Sequence, residues 1–272
     1  MQQPVIGEPI HVLPTGPWPR VHDQLRRHGN AVVHTTWGEW LPATVTEPRL
    51  RRLLGRRDWS RWRRIPDPAV RYRFAASRLL MKYTAAAALQ TRPELLEVSY
   101  RLGGRPFLRG FDQIDLSLTH TGELMAVGLS KDGRIGVDAE PTDRRMSVEV
   151  LQPQMCTPAE AAALAPLPQD EQAARTLRLW TLKEAYTKAL GQGMRLRFTE
   201  FGFGPHGDRL LSRDGTAAFD SEWGFATHHV LGRYLLSTAC HDEGLDTDHD
   251  VPAGSTLDAG FAAAMTPFPE PP

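Results

Sequence analysis

Cysteine occurs only twice in 272 residues, at Cys156 and Cys240. Two isolated thiols make neither a disulfide framework nor the paired spacing of a zinc site, and they suit a reducing cytosol. Cys156 is expected as a small buried apolar residue. Net charge is absent too: 32 basic and 32 acidic side chains cancel at pH 7. No global field then draws the chain to nucleic acid or to a membrane surface. No apolar run approaches membrane-spanning length. Met1 to Pro9 has no basic start and is interrupted by Pro4 and Pro9, so it does not read as a signal peptide. These absences point to a cytoplasmic chain, long enough to bury one large core or two small ones. Lysine is the scarcest charged residue, four against 28 arginines.

Two of those four lysines fall in one short stretch, Trp180-Thr181-Leu182-Lys183-Glu184-Ala185-Tyr186-Thr187-Lys188. Helical periodicity puts Trp180, Lys183, Glu184, Thr187 and Lys188 on one side, and Leu182, Ala185, Tyr186 and Ala189 on the other. A second stretch, Gly136-Val137-Asp138-Ala139-Glu140, reads as a strand end. Its period of two puts Asp138 and Glu140 on one face, about 7 Å apart. Like charges so placed repel unless a cation lies between them or one stays protonated. An i,i+4 Glu184–Lys188 pair is by itself ordinary helix surface. Three carboxylates and two compact ammonium groups together make the components of a magnesium–diphosphate site, because lysine can follow a moving phosphate oxygen as a point charge.

The chain divides into four parts: an N-terminal extension over 1–30 read as loop or short helix, two similar halves over 31–134 and 135–243, and a polar, proline-rich tail over 244–272 expected to be disordered. Each half has a long helix followed by a strand and a Gly-marked turn. Ala75 to Leu89 precedes Leu96 to Arg101, and Leu177 to Leu190 precedes Phe201 to Phe203. Ile114 to Ser130 reads as a hairpin, with a following turn at Lys131-Asp132-Gly133. Such a repeat predicts an α+β fold of two lobes with a cleft between them.

Between Arg49 and Lys82 stand twelve basic residues and two acids, Asp58 and Asp67. Three readings are open: a solvated basic helix, a nucleic-acid surface, and a socket for a phosphorylated cofactor. Trp59 and Trp62 are present, but base-stacking aromatics do not recur at a regular spacing and no nucleic-acid motif accompanies them.

At this point the residues resemble a family. G-[IV]-D-x-E followed some forty residues later by W-x-x-K-E-x-x-x-K is similar to the signature of 4′-phosphopantetheinyl transferases, and most to the larger single-chain Sfp-type in its W/KEA subgroup. Ser117-Leu118-Thr119-His120-Thr121-Gly122 resembles the family's S-H-S-G segment. Gly104-Arg105-Pro106 resembles its G-[KR]-P turn, and Cys156-Thr157-Pro158-Ala159-Glu160 its F-[ST]-x-x-E element. The likeness runs from about Asp58 to about Phe203. Thr flanks His120 on both sides where the family has Ser, and Cys156 replaces a phenylalanine.

The resemblance implies two pseudo-twofold-related lobes, each with a small, mostly antiparallel sheet packed by helices and the active site in the cleft between. It implies transfer of the phosphopantetheine arm of coenzyme A to a serine of an apo acyl or peptidyl carrier protein, as in a holo-[acyl-carrier-protein] synthase, in support of polyketide, nonribosomal peptide or fatty-acid synthesis. Asp138, Glu140 and Glu184 would hold Mg²⁺ or Mn²⁺. Lys188 and Lys183 would neutralise the diphosphate, and Glu184 would be the base. Glu160 is a second candidate for base and diphosphate contact, although Thr157-Pro158-Ala159-Glu160 also reads as a helix capping box with proline at the first helical position. Arg73, Arg105 and Arg61 would meet the 3′-phosphate and adenylate, with His120 donating and Thr119 supporting it. The carrier would dock on a rim formed by Met146 to Pro166. The expected enzyme is a monomer with no nucleic-acid partner. The rival readings are a catalytically silent coenzyme A-binding homologue and an arginine-rich nucleic-acid-binding protein.

Overall fold

The computed structural model describes residues 3–46, 50–101, 103–131, 133–192, 195–218 and 222–242. The tail expected over 244–272 and Asp132 of the expected turn lie outside them. Six strands form the first sheet in the order β1-β2-β6-β5-β4-β3. They are β1 (Ile10–His11), β2 (Asn30–Thr36), β3 (Val98–Tyr100), β4 (Pro106–Leu108), β5 (Ile114–Thr121) and β6 (Leu124–Lys131). Only β1 and β2 run parallel; the other neighbours are antiparallel. Four helices accompany these strands: α1 (Trp18–His28), α2 (Leu41–Thr46), α3 (Leu50–Arg64) and α4 (Pro68–Ala88).

The region after Gly133 builds its own antiparallel sheet, ordered β10-β11-β7, from β7 (Gly133–Pro141), β10 (Trp223–Val230) and β11 (Tyr234–Asp242). A two-stranded ribbon joins β8 (Phe201–Phe203) to β9 (Leu210–Ser212). Helix α7 (Gln169–Leu190) packs with these strands, and α5 (Val148–Met155) and α6 (Pro158–Leu164) cluster with α7. The fold is α+β, small mostly antiparallel sheets packed by helices, as expected. Residues 3–30 hold the short helix read there and add a two-residue strand. Helix α1 buries Val21 and Leu25, and β1 extends the first sheet. Pro17 ahead of the helix and the left-handed Gly29 after it (φ 69°) mark its ends.

Helix α4 starts on an Asp67 side chain that accepts from the Ala69 and Val70 amides, with Pro68 at the first helical position. It packs Ala75, Ala76, Leu79, Leu80 and Met81 into the larger core, against Val33, Leu116, Val127 and Leu129 of the sheet. Trp40, fully buried there, donates from its indole to Thr35 Oγ1 at 3.1 Å. The second sheet meets the first through β7. Ile135, Val137 and Ala139 join Val32, Leu124 and Ala126 in a separate cluster. Gly128 of β6 makes that contact possible, because a Cβ there would stand 2.8 Å from Val137 Cγ1.

One edge of β7 pairs with β11. The other is met by alternate side chains of β5: Asp115 accepts from the Ile135 amide at 2.8 Å and Ser117 Oγ from the Val137 amide at 3.1 Å. Thr119 donates to Asp138 Oδ1 at 3.3 Å. A period-two row of polar groups on one strand thus satisfies the backbone of another that it does not pair with. This seam sets the position of the acidic strand end.

Candidate active site at the β5–β7–α7 seam

Helix α7 lies against β7 so closely that Gly136 has no room for a side chain. A Cβ there would fall 1.9 Å from the Ala185 carbonyl oxygen. Threonines seal the same helix, with Thr181 Oγ1 2.8 Å from Ser237 Oγ of β11. This corrects the two-sided reading of the helix: Lys183 and Thr187 are as buried as Leu182 and Ala185. The helix is central, packed by β7 and β11 on one flank and by the Met155, Leu164 and Phe198 cluster on another. What remains partly open along its C-terminal half is a stripe at spacing four, Trp180, Glu184 and Lys188.

That stripe meets the acidic strand. Lys188 Nζ donates to Asp138 Oδ1 at 2.6 Å and to the Val137 carbonyl at 3.1 Å. Asp138 is buried, and its second oxygen, Oδ2, has no hydrogen-bond partner. Burial holds the Asp138 carboxyl above its ordinary range, opposed by Lys188. Burial also raises Glu184, reinforced by the charges of Asp138 and Glu140 and opposed by Lys188. Glu140 is raised by burial and by Asp138, against Arg144 and Lys188. The three carboxylates therefore share one electrostatic neighbourhood. Their donors are all oxygen, and Asp138 Oδ2 is an orphaned buried acceptor, so they fit a hard divalent cation. They do not close on one point: among the described residues no group of three His, Cys, Asp or Glu is arranged as a metal centre. Lys188 takes one Asp138 oxygen, and Arg144 is paired with Glu140.

Lys183 is not part of this surface, against the role expected for it. It has no solvent exposure, and its ammonium is 2.7 Å from each of four acceptors: Glu160 Oε2 and the carbonyls of Met155, Phe198 and Phe201. Glu160 is equally committed, accepting from the Thr157 amide at 2.8 Å and the Phe203 amide at 2.9 Å. The Thr157–Glu160 capping box forms in full. Both oxygens of Glu160 bond inside the fold, Oε2 to Lys183 and the Thr157 amide and Oε1 to the Phe203 amide, which is the structural side of the two readings. A buried pair that ties α6, α7 and β8 together satisfies its charges internally.

The basic candidates divide similarly. Arg105 is bidentate to Asp115, with a further bond from Nη2 to the Ile135 carbonyl at 3.0 Å. It stiffens the seam while lining, with Gly104, Ser117, Lys188 and Gly191, a cavity of about 200 Å³. His120 is exposed at the end of β5, and Thr119 is buried behind it. Arg73 lies 4.9 Å over the Trp37 ring, and Trp37 donates its amide to Glu123 in the β5–β6 turn at 2.9 Å. That brings Arg73 to the neighbourhood of the Thr-His-Thr-Gly segment. Arg61 lies 5.2 Å over Phe74, a contact within the helical layer. Trp59 and Trp62 stack on each other at 4.8 Å, and Arg71 covers Trp62. Each ring thus has a face engaged within the helical layer.

Beyond Glu184 a larger cavity of about 410 Å³ opens, lined by Leu151, Met155, Trp180, Arg197 and Phe198 among others. Arg144, a residue the sequence does not single out, lies 5.5 Å over the ring of Trp180, which lines this cavity, and is paired with Glu140. Its position four residues after Glu140 was the available signal. Asp115 and its partner Arg105 were missed as a unit because they are ten residues apart on different elements.

No helix among the described residues is long and apolar enough to cross a membrane. Comparison with known proteins adds family likeness. The chain is 29% identical over 149 residues to the Synechocystis sp. protein slr0495, which carries a provisional 4′-phosphopantetheinyl transferase name, covering 54% of this chain and 61% of that one. It is 30% identical over 130 residues to the 4′-phosphopantetheinyl transferase HetI of Nostoc sp., covering 47% and 55%. A phosphopantetheinyl transferase of Thraustochytrium sp. is 25% identical over 225 residues, 77% of each chain. The chain thus spans less than two thirds of the first two relatives. Residues 134–239, which carry Asp138, Glu140, Glu184 and Lys188, match the family model of the 4′-phosphopantetheinyl transferase superfamily.

Proposed function

We propose that this protein is a Sfp-type 4′-phosphopantetheinyl transferase of the holo-[acyl-carrier-protein] synthase kind. It would move the phosphopantetheine arm of coenzyme A to a serine of an apo acyl or peptidyl carrier protein. The observation that carries the reading is the meeting of Asp138, Glu184 and Lys188 where β7 crosses α7, inside the stretch that matches the family. In the reaction the serine Oγ forms a bond to the phosphorus nearer the pantetheine, and the bond from that phosphorus to the bridging oxygen breaks. The electron pair leaves with 3′,5′-adenosine diphosphate. Glu184, its carboxyl raised by burial and like charge, accepts the serine proton. Lys188, with two donors spent on β7, has a third for a diphosphate oxygen.

Asp138, Glu140 and Glu184 would hold Mg²⁺ or Mn²⁺, which when bound supplies electrophilic polarisation of the diphosphate and screens its charge. Residues 31–134 would receive the adenylate and 3′-phosphate through Arg73, His120 and the Arg105 turn, and residues 135–243 the diphosphate. The apolar cavity beside Glu184 would take the pantetheine arm. The carrier would then approach along α5, beside the Met146 to Pro166 segment, with no nucleic acid, membrane or second copy required.

The test mixes purified protein, coenzyme A, Mg²⁺ and apo carriers of fatty-acid, polyketide and peptide type, and weighs each carrier. A gain of one arm, lost with chelator and in Glu184→Gln, is expected. No gain on any carrier would defeat the assignment, and retained coenzyme A binding without transfer would favour a silent homologue.

A further inference from the structure

A further cavity, of about 370 Å³ and open to solvent on one side, lies between α6, α7 and the β8–β9 hairpin, and its lining includes neither Glu184, Lys188 nor Asp138. Its walls are mostly apolar, with Leu164, Leu179, Leu182, Phe203 and Leu211 contributing, and Ala163 stands exposed at its edge. The volume and character are those of a small-molecule site. Its one carboxylate, Glu160, is fully committed to Lys183 and to two backbone amides. Positive charge is left over instead. Arg178 donates from Nη2 to the His206 carbonyl, its Nε is buried with no partner, and no carboxylate pairs with it among the described residues. Arg175 adds a second guanidinium at the rim, shared with Glu171 at 3.0 Å.

We propose that this cavity binds a medium-chain fatty carboxylate, the alkyl chain lying among the leucines and the head group meeting Arg178. A guanidinium without a carboxylate partner beside a mostly apolar wall favours a ligand with one anionic end and an alkyl body. A neutral amphiphile would leave the charge unmet, and a short anion would leave the apolar wall wet.

Titration of the full chain with decanoate, decanol and acetate, followed by calorimetry, tests this. Decanoate is expected to bind saturably at one site, at least tenfold tighter than decanol, with acetate showing no binding. Arg178→Gln should reduce decanoate to the level of decanol. Ala163→Phe, a ring introduced from an exposed helical position, should abolish both. Hydrogen exchange on the unaltered protein provides a readout independent of any variant: decanoate should slow exchange in residues 203–207. Absence of saturable decanoate binding, equal affinity for decanol, unchanged affinity in either variant that melts like the parent, or unchanged exchange at 203–207 would each overturn the site.

Discussion

Lys188 on α7 and Asp138 on β7 are joined by a 2.6 Å charge-assisted hydrogen bond, with the lysine partly open and the aspartate buried. The pair fastens the partly open face of the helix to the strand. It also leaves Asp138 Oδ2 without a partner inside the fold. In the Lys183–Glu160 pair both carboxylate oxygens are bonded within the fold; here one acceptor is left over.

Asp138→Asn and Lys188→Met are therefore expected to lower carrier modification by at least about 100-fold each. Asp138→Asn should cost only about 1–3 kcal/mol of stability, because Lys188 retains contact with water, and Lys188→Met about 3–5 kcal/mol, because it leaves the buried Asp138 without its counter-ion. The double variant should be no worse than about the poorer single one, as groups acting together are not additive. Rates from mass spectrometry and denaturant midpoints of the four proteins check this. Additive losses would mean that the two residues act separately.

Lys183→Met should behave in the opposite way. Removing an ammonium that serves four buried acceptors leaves Glu160 charged and unpaired, a loss of about 3–5 kcal/mol. Pairing it with Glu160→Gln should recover part of the loss in urea unfolding. Protein that remains folded should keep its Michaelis constant for coenzyme A; a large rise in that constant at unchanged stability would restore Lys183 to the diphosphate site.

Gly136→Ala is predicted to destabilise by about 3 kcal/mol and to lower activity, since the new methyl must push α7 from β7. Gly104→Ala is the contrast: its φ of 87° disfavours a side chain, yet nothing lies within 4 Å, so about 1–2 kcal/mol is expected. Thermal melting of the two variants gives the order directly.

Acid should weaken the first sheet through His34. Burial, helped by His11 stacked at 5.2 Å and opposed by Glu39, lowers its pKa from 6.5 to about 4. The unfolded chain thus binds a proton that the folded chain refuses. Stability from this group is complete above pH 6.5 and is lost as pH falls toward 4, by roughly 2–3 kcal/mol. His34→Phe should show a smaller fall in melting temperature between pH 7 and 4.5 than the parent. An identical fall in both would remove His34 as the cause.

The sequence by itself determined the local elements that carry strong periodicity or punctuation. The β5–β6 hairpin turns at Gly122, α7 ends at Gly191 in the left-handed conformation, and Thr157 with Glu160 caps α6. The D-x-E strand and the Lys-Glu helix were legible for the same reason: each pattern needs only its own neighbours. Tertiary structure decided which charges face outward. Lys183 and Lys188 lie on one turn and a half of the same helix, yet one is sealed by Met155, Phe198 and Phe201 and the other reaches Asp138. Arg105 was likewise drawn to Asp115 by the seam between two sheets. Helical spacing fixes an angle around an axis. Whether water or protein stands at that angle depends on elements far away in the chain, and burial then sets what each charge can do.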